Sequence, residues 1–182
     1  MNNPISRETI ATEDIDPDFV DELVNAGADK IRTCIQCGTC SSVCPSGRRT
    51  AFRTRELMRK ALLGLKDEVL SSPDLWLCST CLTCLERCPR QIKTIDAIIK
   101  MRNMAVENGL MLPEHRKTSE KLLETGHAVP INDANRERRK ELGLAEIPPT
   151  VHSSEKALRD VQEILNRTGF KKLIDGEAKE EA

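Results

Sequence analysis

The eight cysteines of this chain fall into one short pattern that occurs twice. Residues 34–45 read CIQCGTCSSVCP and residues 78–89 read CSTCLTCLERCP, each a C-x2-C-x2-C-x3-C-P run. Cys34, Cys37, Cys40 and Cys44 make the first run. Cys78, Cys81, Cys84 and Cys88 make the second, and no cysteine lies outside the two. Zinc sites usually pair two C-x2-C knuckles, four ligands in all, rather than two runs of four that each end in Cys-Pro. A disulfide framework belongs to small secreted chains, and the N-terminus, MNNPISRETIATEDID, has no apolar stretch of the kind a secretion signal needs.

What the spacing fits is a pair of cubane [4Fe–4S] clusters. Three cysteines spaced C-x2-C-x2-C wrap one tight loop around three corners, with backbone N–H groups turned inward toward sulfur. Gly38 lets the first loop take a positive φ at no Cβ cost. Leu82 holds the equivalent place in the second loop, which must therefore avoid positive φ or accept strain. The fourth cysteine of each run is followed by Pro45 or Pro89, suited by its fixed φ to start an element leading away. A cysteine there is poorly aimed at its own cluster, and with this spacing in two-cluster ferredoxins it ligates the other one. The expected ligand sets are Cys34, Cys37, Cys40 and Cys88 for cluster one, and Cys78, Cys81, Cys84 and Cys44 for cluster two.

Composition sharpens this reading. With 3 Phe and 1 Trp as the aromatic residues, the conventional core is modest and the clusters act as much of it. The metal-free chain is expected to be largely unfolded around residues 30–110. A formal net charge of −1 makes no bulk electrostatic case for nucleic acid. The longest apolar run is Leu75–Cys78, so no membrane span is expected. Thiolates committed to iron suit a cytoplasmic setting.

Along the chain, residues 1–15 read as a mobile lead-in, followed by a helix capped by Asp16, with Pro17 at its first position and Gly27 at its end. Residues 8–22 carry seven acids and no base, a solvated face or a dock for a basic partner. The connection between the runs reads as a helix over 54–63 and a shorter one over 67–71, and residues 45–66 hold seven bases against one acid. Those bases either raise the cluster potentials, dock an acidic partner or simply face solvent. After Pro89 the pattern is helical to about Asn108. Three further helices are expected, from Pro113 to before Gly126, over about 132–142, and from Ser154 to Arg167. The fold class is mainly α: an α-helical ferredoxin core with N- and C-terminal helical extensions. The segments are 1–27, a cluster domain over 28–110, a helical extension over 111–170 that suits an interface with other subunits, and an acidic tail over 171–182.

Missing motifs narrow the function. Neither G-x-G-x-x-G nor G-x4-G-K-[ST] occurs. His115, His127 and His152 are scattered and lack an arranged nucleophile. Two cubanes consume all eight thiolates, leaving none for disulfide exchange or covalent catalysis. A chain of this kind holds and passes single electrons and shows no catalytic residues of its own.

Taken together, the two runs, the wording CIQCGTCSSVCP, the helical spacer and the small helical tail resemble the family of C-type iron–sulfur subunits of heterodisulfide reductase in methanogenic archaea. The cysteine runs alone are shared more widely, with iron–sulfur subunits of succinate dehydrogenase, fumarate reductase and glycolate or glycerol-3-phosphate oxidising systems. The resemblance implies electron transfer through two [4Fe–4S] clusters. Electrons would come from the flavin-containing A-type subunit of heterodisulfide reductase. They would pass to the catalytic B-type subunit, which reduces the mixed disulfide of coenzyme M and coenzyme B in methanogenesis. The resemblance also implies a hydrogenase or formate dehydrogenase in the same assembly. The alternatives are another oxidoreductase's iron–sulfur subunit and a free soluble ferredoxin-like carrier.

Overall fold

The computed structural model describes residues 10–176 as ten α-helices joined by 3-10 turns, with no strand among the described residues. The described residues fall into two compact units that divide between Ala105 and Val106.

In the first unit, α1 (Phe19–Asn25) turns Phe19, Val20 and Leu23 inward. It starts two residues later than the capping pattern suggests. Asp16 instead accepts a hydrogen bond from the Asp18 N–H at 2.9 Å and closes the turn before the helix. The first cysteine run carries the short α2 (Thr39–Ser42). The connection then forms α3 (Thr54–Leu62) and α4 (Lys66–Ser71), close to the expected spans. A 3-10 turn over Pro73–Leu77 leads into the second run and α5 (Thr83–Glu86). The long α6 (Thr94–Glu107) follows. It begins several residues after Pro89 rather than at it, because Gln91 takes a positive φ of 55° that no helix can contain.

Phe19, Leu23, Ile31, Phe52, Met58, Leu75, Ile98 and Met101 form a fully buried core. Burying each such side chain contributes about 1.5–3 kcal/mol. Cys44 belongs to this core, and Cys34, Cys78 and Cys88 pack against it. The apolar residues thus support the thiol loops from behind.

Three bases of this unit, Arg32, Lys60 and Lys66, pair with five of its acids. Lys66 bridges Asp16 at 3.2 Å and Glu22 at 2.8 Å. Lys60 bridges Glu56 at 3.2 Å and Glu68 at 2.6 Å, and Arg32 pairs with Asp21.

The second unit holds α7 (Pro113–Thr125), α8 (Asp133–Glu141), α9 (Glu155–Arg167) and α10 (Phe170–Asp175). The first and third start at the expected signals, and the second within its expected span. Pro113 opens α7, the Asn132 side chain caps α8, and the Ser154 side chain caps α9. Helix α10 occupies the first residues of the segment expected to be an acidic tail. Six residues are too few for a helical periodicity to show in sequence, yet Ile174 is buried. The rest of that tail, 177–182, lies outside the described residues, as do 1–9 of the expected lead-in.

Candidate iron–sulfur site

The two cysteine loops share one backbone design. Cys34 and Cys78 are extended, with φ near −69° and −68°. Gln36 and Thr80 take φ of 55° and 53°. Gly38 and Leu82 take φ of 84° and 65° before α2 and α5 begin. The second loop therefore accepts the strain. A non-glycine residue held in this left-handed region costs about 1–2 kcal/mol.

Each loop faces a hollow in the first unit. One, about 390 Å³ counting its open mouth, is lined by Cys34, Cys37 and Cys40 together with Cys88 from the other run. The other, about 280 Å³, is lined by Cys78, Cys81 and Cys84 together with Cys44. The grouping is that of the two expected ligand sets. Four sulfurs drawn to about 2.3 Å around one zinc ion would leave no hollow between them. Among the described residues, no three His, Cys, Asp or Glu converge tightly enough to hold a single metal ion. The residues fit a group with the girth of a cubane.

Several donors and hydroxyls address the sulfurs. The Gly47 N–H lies 3.3 Å from Cys44 Sγ, and the Ile92 N–H lies 3.4 Å from Cys88 Sγ. Gln36 Nε2 donates to Cys34 Sγ at 3.4 Å. Thr39 Oγ1 sits 3.4 Å from Cys37 Sγ, and Thr83 Oγ1 sits 3.5 Å from Cys81 Sγ. Those threonine contacts hold the Cys37 and Cys81 thiols below their ordinary pKa. Burial does the opposite at the third cysteines. It raises Cys40, and it pushes Cys84 up to about 11, with Cys78, Cys40 and Cys81 adding repulsion. Metal binding, which deprotonates those two thiols, offsets this burial cost. Helix α2, which carries Cys40, packs on α5, which carries Cys84, so the two hollows are neighbours.

Sequence reasoning missed the residues that brace the loops. Arg102, on α6, donates from Nε to the Leu75 carbonyl at 3.0 Å and from Nη2 to the Cys78 carbonyl at 2.7 Å, with its guanidinium 5.6 Å from the Trp76 ring centre. Ser46 Oγ donates to the Leu77 carbonyl at 2.6 Å. Arg53 Nη1 reaches the carbonyls of Gly47, Thr50 and Phe52 at 2.7–2.9 Å. No local motif marks these contacts, because their partners are backbone carbonyls up to 31 residues away. The histidines lie in the other unit. His127 Nδ1 accepts from the Val129 N–H at 3.1 Å, which is a local turn bond.

Comparison with known proteins agrees with the site. Residues 30–92 match the 4Fe–4S dicluster domain family. The chain is 50% identical over 160 residues to proteins named as the C subunit of H(2):CoB-CoM heterodisulfide,ferredoxin reductase in Methanothermobacter marburgensis and Methanothermobacter thermautotrophicus, covering 88% of this chain and 86% of each relative. It is 49% identical over 173 residues to the iron-sulfur C subunit of the CoB–CoM heterodisulfide reductase of Methanopyrus kandleri, covering 91% of this chain and 90% of that one. With two [4Fe–4S] clusters and an iron–sulfur electron-transfer role, the chain belongs to the family of C-type iron–sulfur subunits of heterodisulfide reductase.

Proposed function

We propose that this chain conducts single electrons inside a cytoplasmic heterodisulfide reductase complex, taking them from the flavin-containing A-type subunit and passing them to the catalytic B-type subunit. The observation that carries the reading is the pair of adjacent hollows, each lined by three thiols of one run and the fourth of the other. Cys34, Cys37, Cys40 and Cys88 hold cluster one, and Cys78, Cys81, Cys84 and Cys44 hold cluster two. Each cluster, once bound, takes up and returns one electron. The protein's part is to hold the two close together, to donate hydrogen bonds to their sulfurs and to keep water off their inner sides with the core behind them.

The acceptor at the end of the path is the coenzyme M–coenzyme B disulfide, reduced on the catalytic partner. A hydrogenase feeding the same assembly suits relatives named for H2, and a formate dehydrogenase would enter in the same way. Among the described residues no helix is long and apolar enough to cross a membrane.

The second unit supports a place in an assembly. Among its described residues, only Pro148 and Ile174 are buried. Val129, Leu142, Leu144, Ile147 and Ile164 are exposed. Such a surface suits a partner protein.

Anaerobic purification from the native source, followed by mass spectrometry of what remains bound, tests the reading. A flavoprotein and a second protein with paired-cysteine motifs are the expected companions. Recovery of the chain alone would favour a free soluble carrier, and a different dehydrogenase would keep the conduction but change the chemistry at its ends.

A further inference from the structure

The two cysteine loops are alike in backbone and unlike in what they place beside their hollows. Three pairs of equivalent positions differ in the same direction. Gln36, whose side chain donates to Cys34 Sγ, stands opposite Thr80, whose hydroxyl donates to the Ser79 carbonyl instead. Gly38 stands opposite Leu82, which puts an apolar residue in the lining of the second hollow. Arg90, directly after Cys88-Pro89, lines the first hollow. Its counterpart after Cys44-Pro45 is Ser46, bonded to the Leu77 carbonyl.

A fourth pair comes from the helices. Each of α3 and α6 opens with a buried threonine, Thr54 or Thr94, that lines a hollow. The next residue of α3 is Arg55, on the first hollow, and the next residue of α6 is Ile95, on the second. The Arg55 backbone is fixed there by donation from its N–H to Ser41 Oγ at 2.8 Å. The first hollow thus has two arginines, Arg55 and Arg90, among its lining residues, and the second has no charged residue.

Adding an electron takes a cubane with four thiolates from a charge of about −2 to about −3, with no bond or proton change. Nearby positive charge and hydrogen bonds to sulfur favour the more negative state, and apolar cover disfavours it. We propose that the site of Cys34, Cys37, Cys40 and Cys88 is the higher-potential one and takes the first electron, with Arg55, Arg90 and Gln36 setting the difference. This rests on the two-cluster reading above. Because Arg55 and Arg90 are solvent-exposed, their contribution is screened and shrinks as salt rises.

The test is a mediated redox titration of the purified two-cluster protein, read by electron paramagnetic resonance. Two waves are expected. Arg55→Gln combined with Arg90→Gln should lower only the higher wave, by at least about threefold in its reduced-to-oxidised ratio, or about 28 mV for one electron. Gln36→Thr should move the same wave in the same direction, which keeps the test alive if the arginine variant fails to fold. Arg48→Gln with Arg49→Gln, at exposed positions that line neither hollow, is the control and should move neither wave. Coincident waves, or a shift confined to the lower wave, would overturn the inference while iron and sulfide content left the two-cluster reading standing. Protein lacking iron and sulfide would overturn both.

Discussion

Leu82 is the residue where the sequence left two conformations open. The spacing of the second run demands a positive φ where the first run has glycine, and the chain adopts it at 65°. Leu82→Gly should therefore leave cluster content unchanged and cost no more than a few tenths of a kcal/mol, since relief of strain offsets added chain entropy. Gly38→Ala, at φ 84° with only ordinary contact to Arg55, should cost about 1–2 kcal/mol. Denaturant midpoints of the two anaerobic holoproteins check the pair, and equal losses in both would contradict the strain account. Arg102 makes the complementary point. Nothing around it in sequence identifies it, because its work is to satisfy the Leu75 and Cys78 carbonyls from α6. Arg102→Leu should cost about 2 kcal/mol. It should also loosen the cluster on Cys78 first, seen as faster loss of that cluster's resonance signal under mild chelation.

At the level of elements, helices with distinct start and stop residues were legible. Pro113 with Gly126, Gly143, and Ser154 each mark a helix end that the structure keeps. Helix α10 was not legible, because six residues between Gly169 and Gly176 give no repeat to read. The start of α6 was misplaced because Pro89 signals an element while the left-handed Gln91 delays it to Thr94. Gly64 does more than end α3. Its carbonyl accepts from the Asp16 N–H at 2.8 Å, and a Cβ at this position would lie 2.4 Å from the Asp16 carbonyl oxygen. Gly64→Ala should push the N-terminal segment away, weaken the Lys66 bridges to Asp16 and Glu22, and cost more than about 2 kcal/mol. Faster amide exchange across α1 in the variant is the expected sign, and unchanged exchange would contradict it.

For the whole molecule, the thiol sites and the small core are parts of one folding unit. Cys34, Cys78 and Cys88 pack on the same apolar cluster that includes Phe19, Phe52 and Met101, and Cys44 belongs to it. Removing iron leaves two hollows ringed by thiols in a core with few aromatics. Anaerobic chelation should therefore abolish most amide protection over residues 30–105. Retention of native protection there without metal would show that the apolar core suffices. The cysteine pattern made the sites visible because two repeats of four ligands admit few cofactors. The charge asymmetry around them was not visible, because Arg55 and Arg90 reach one hollow from two different segments.

Crossed ligation is the claim on which the conducting role depends, and paired substitution tests it directly. If Cys88 serves the site built on the first run, Cys34→Ser with Cys88→Ser removes two ligands from one cluster. That protein should keep the other cluster intact, with about four irons and one reducible centre. Cys34→Ser with Cys44→Ser should damage both. The reverse result, one intact cluster in the Cys34 and Cys44 pair and none in the Cys34 and Cys88 pair, would mean that each run ligates its own cluster and would contradict the account.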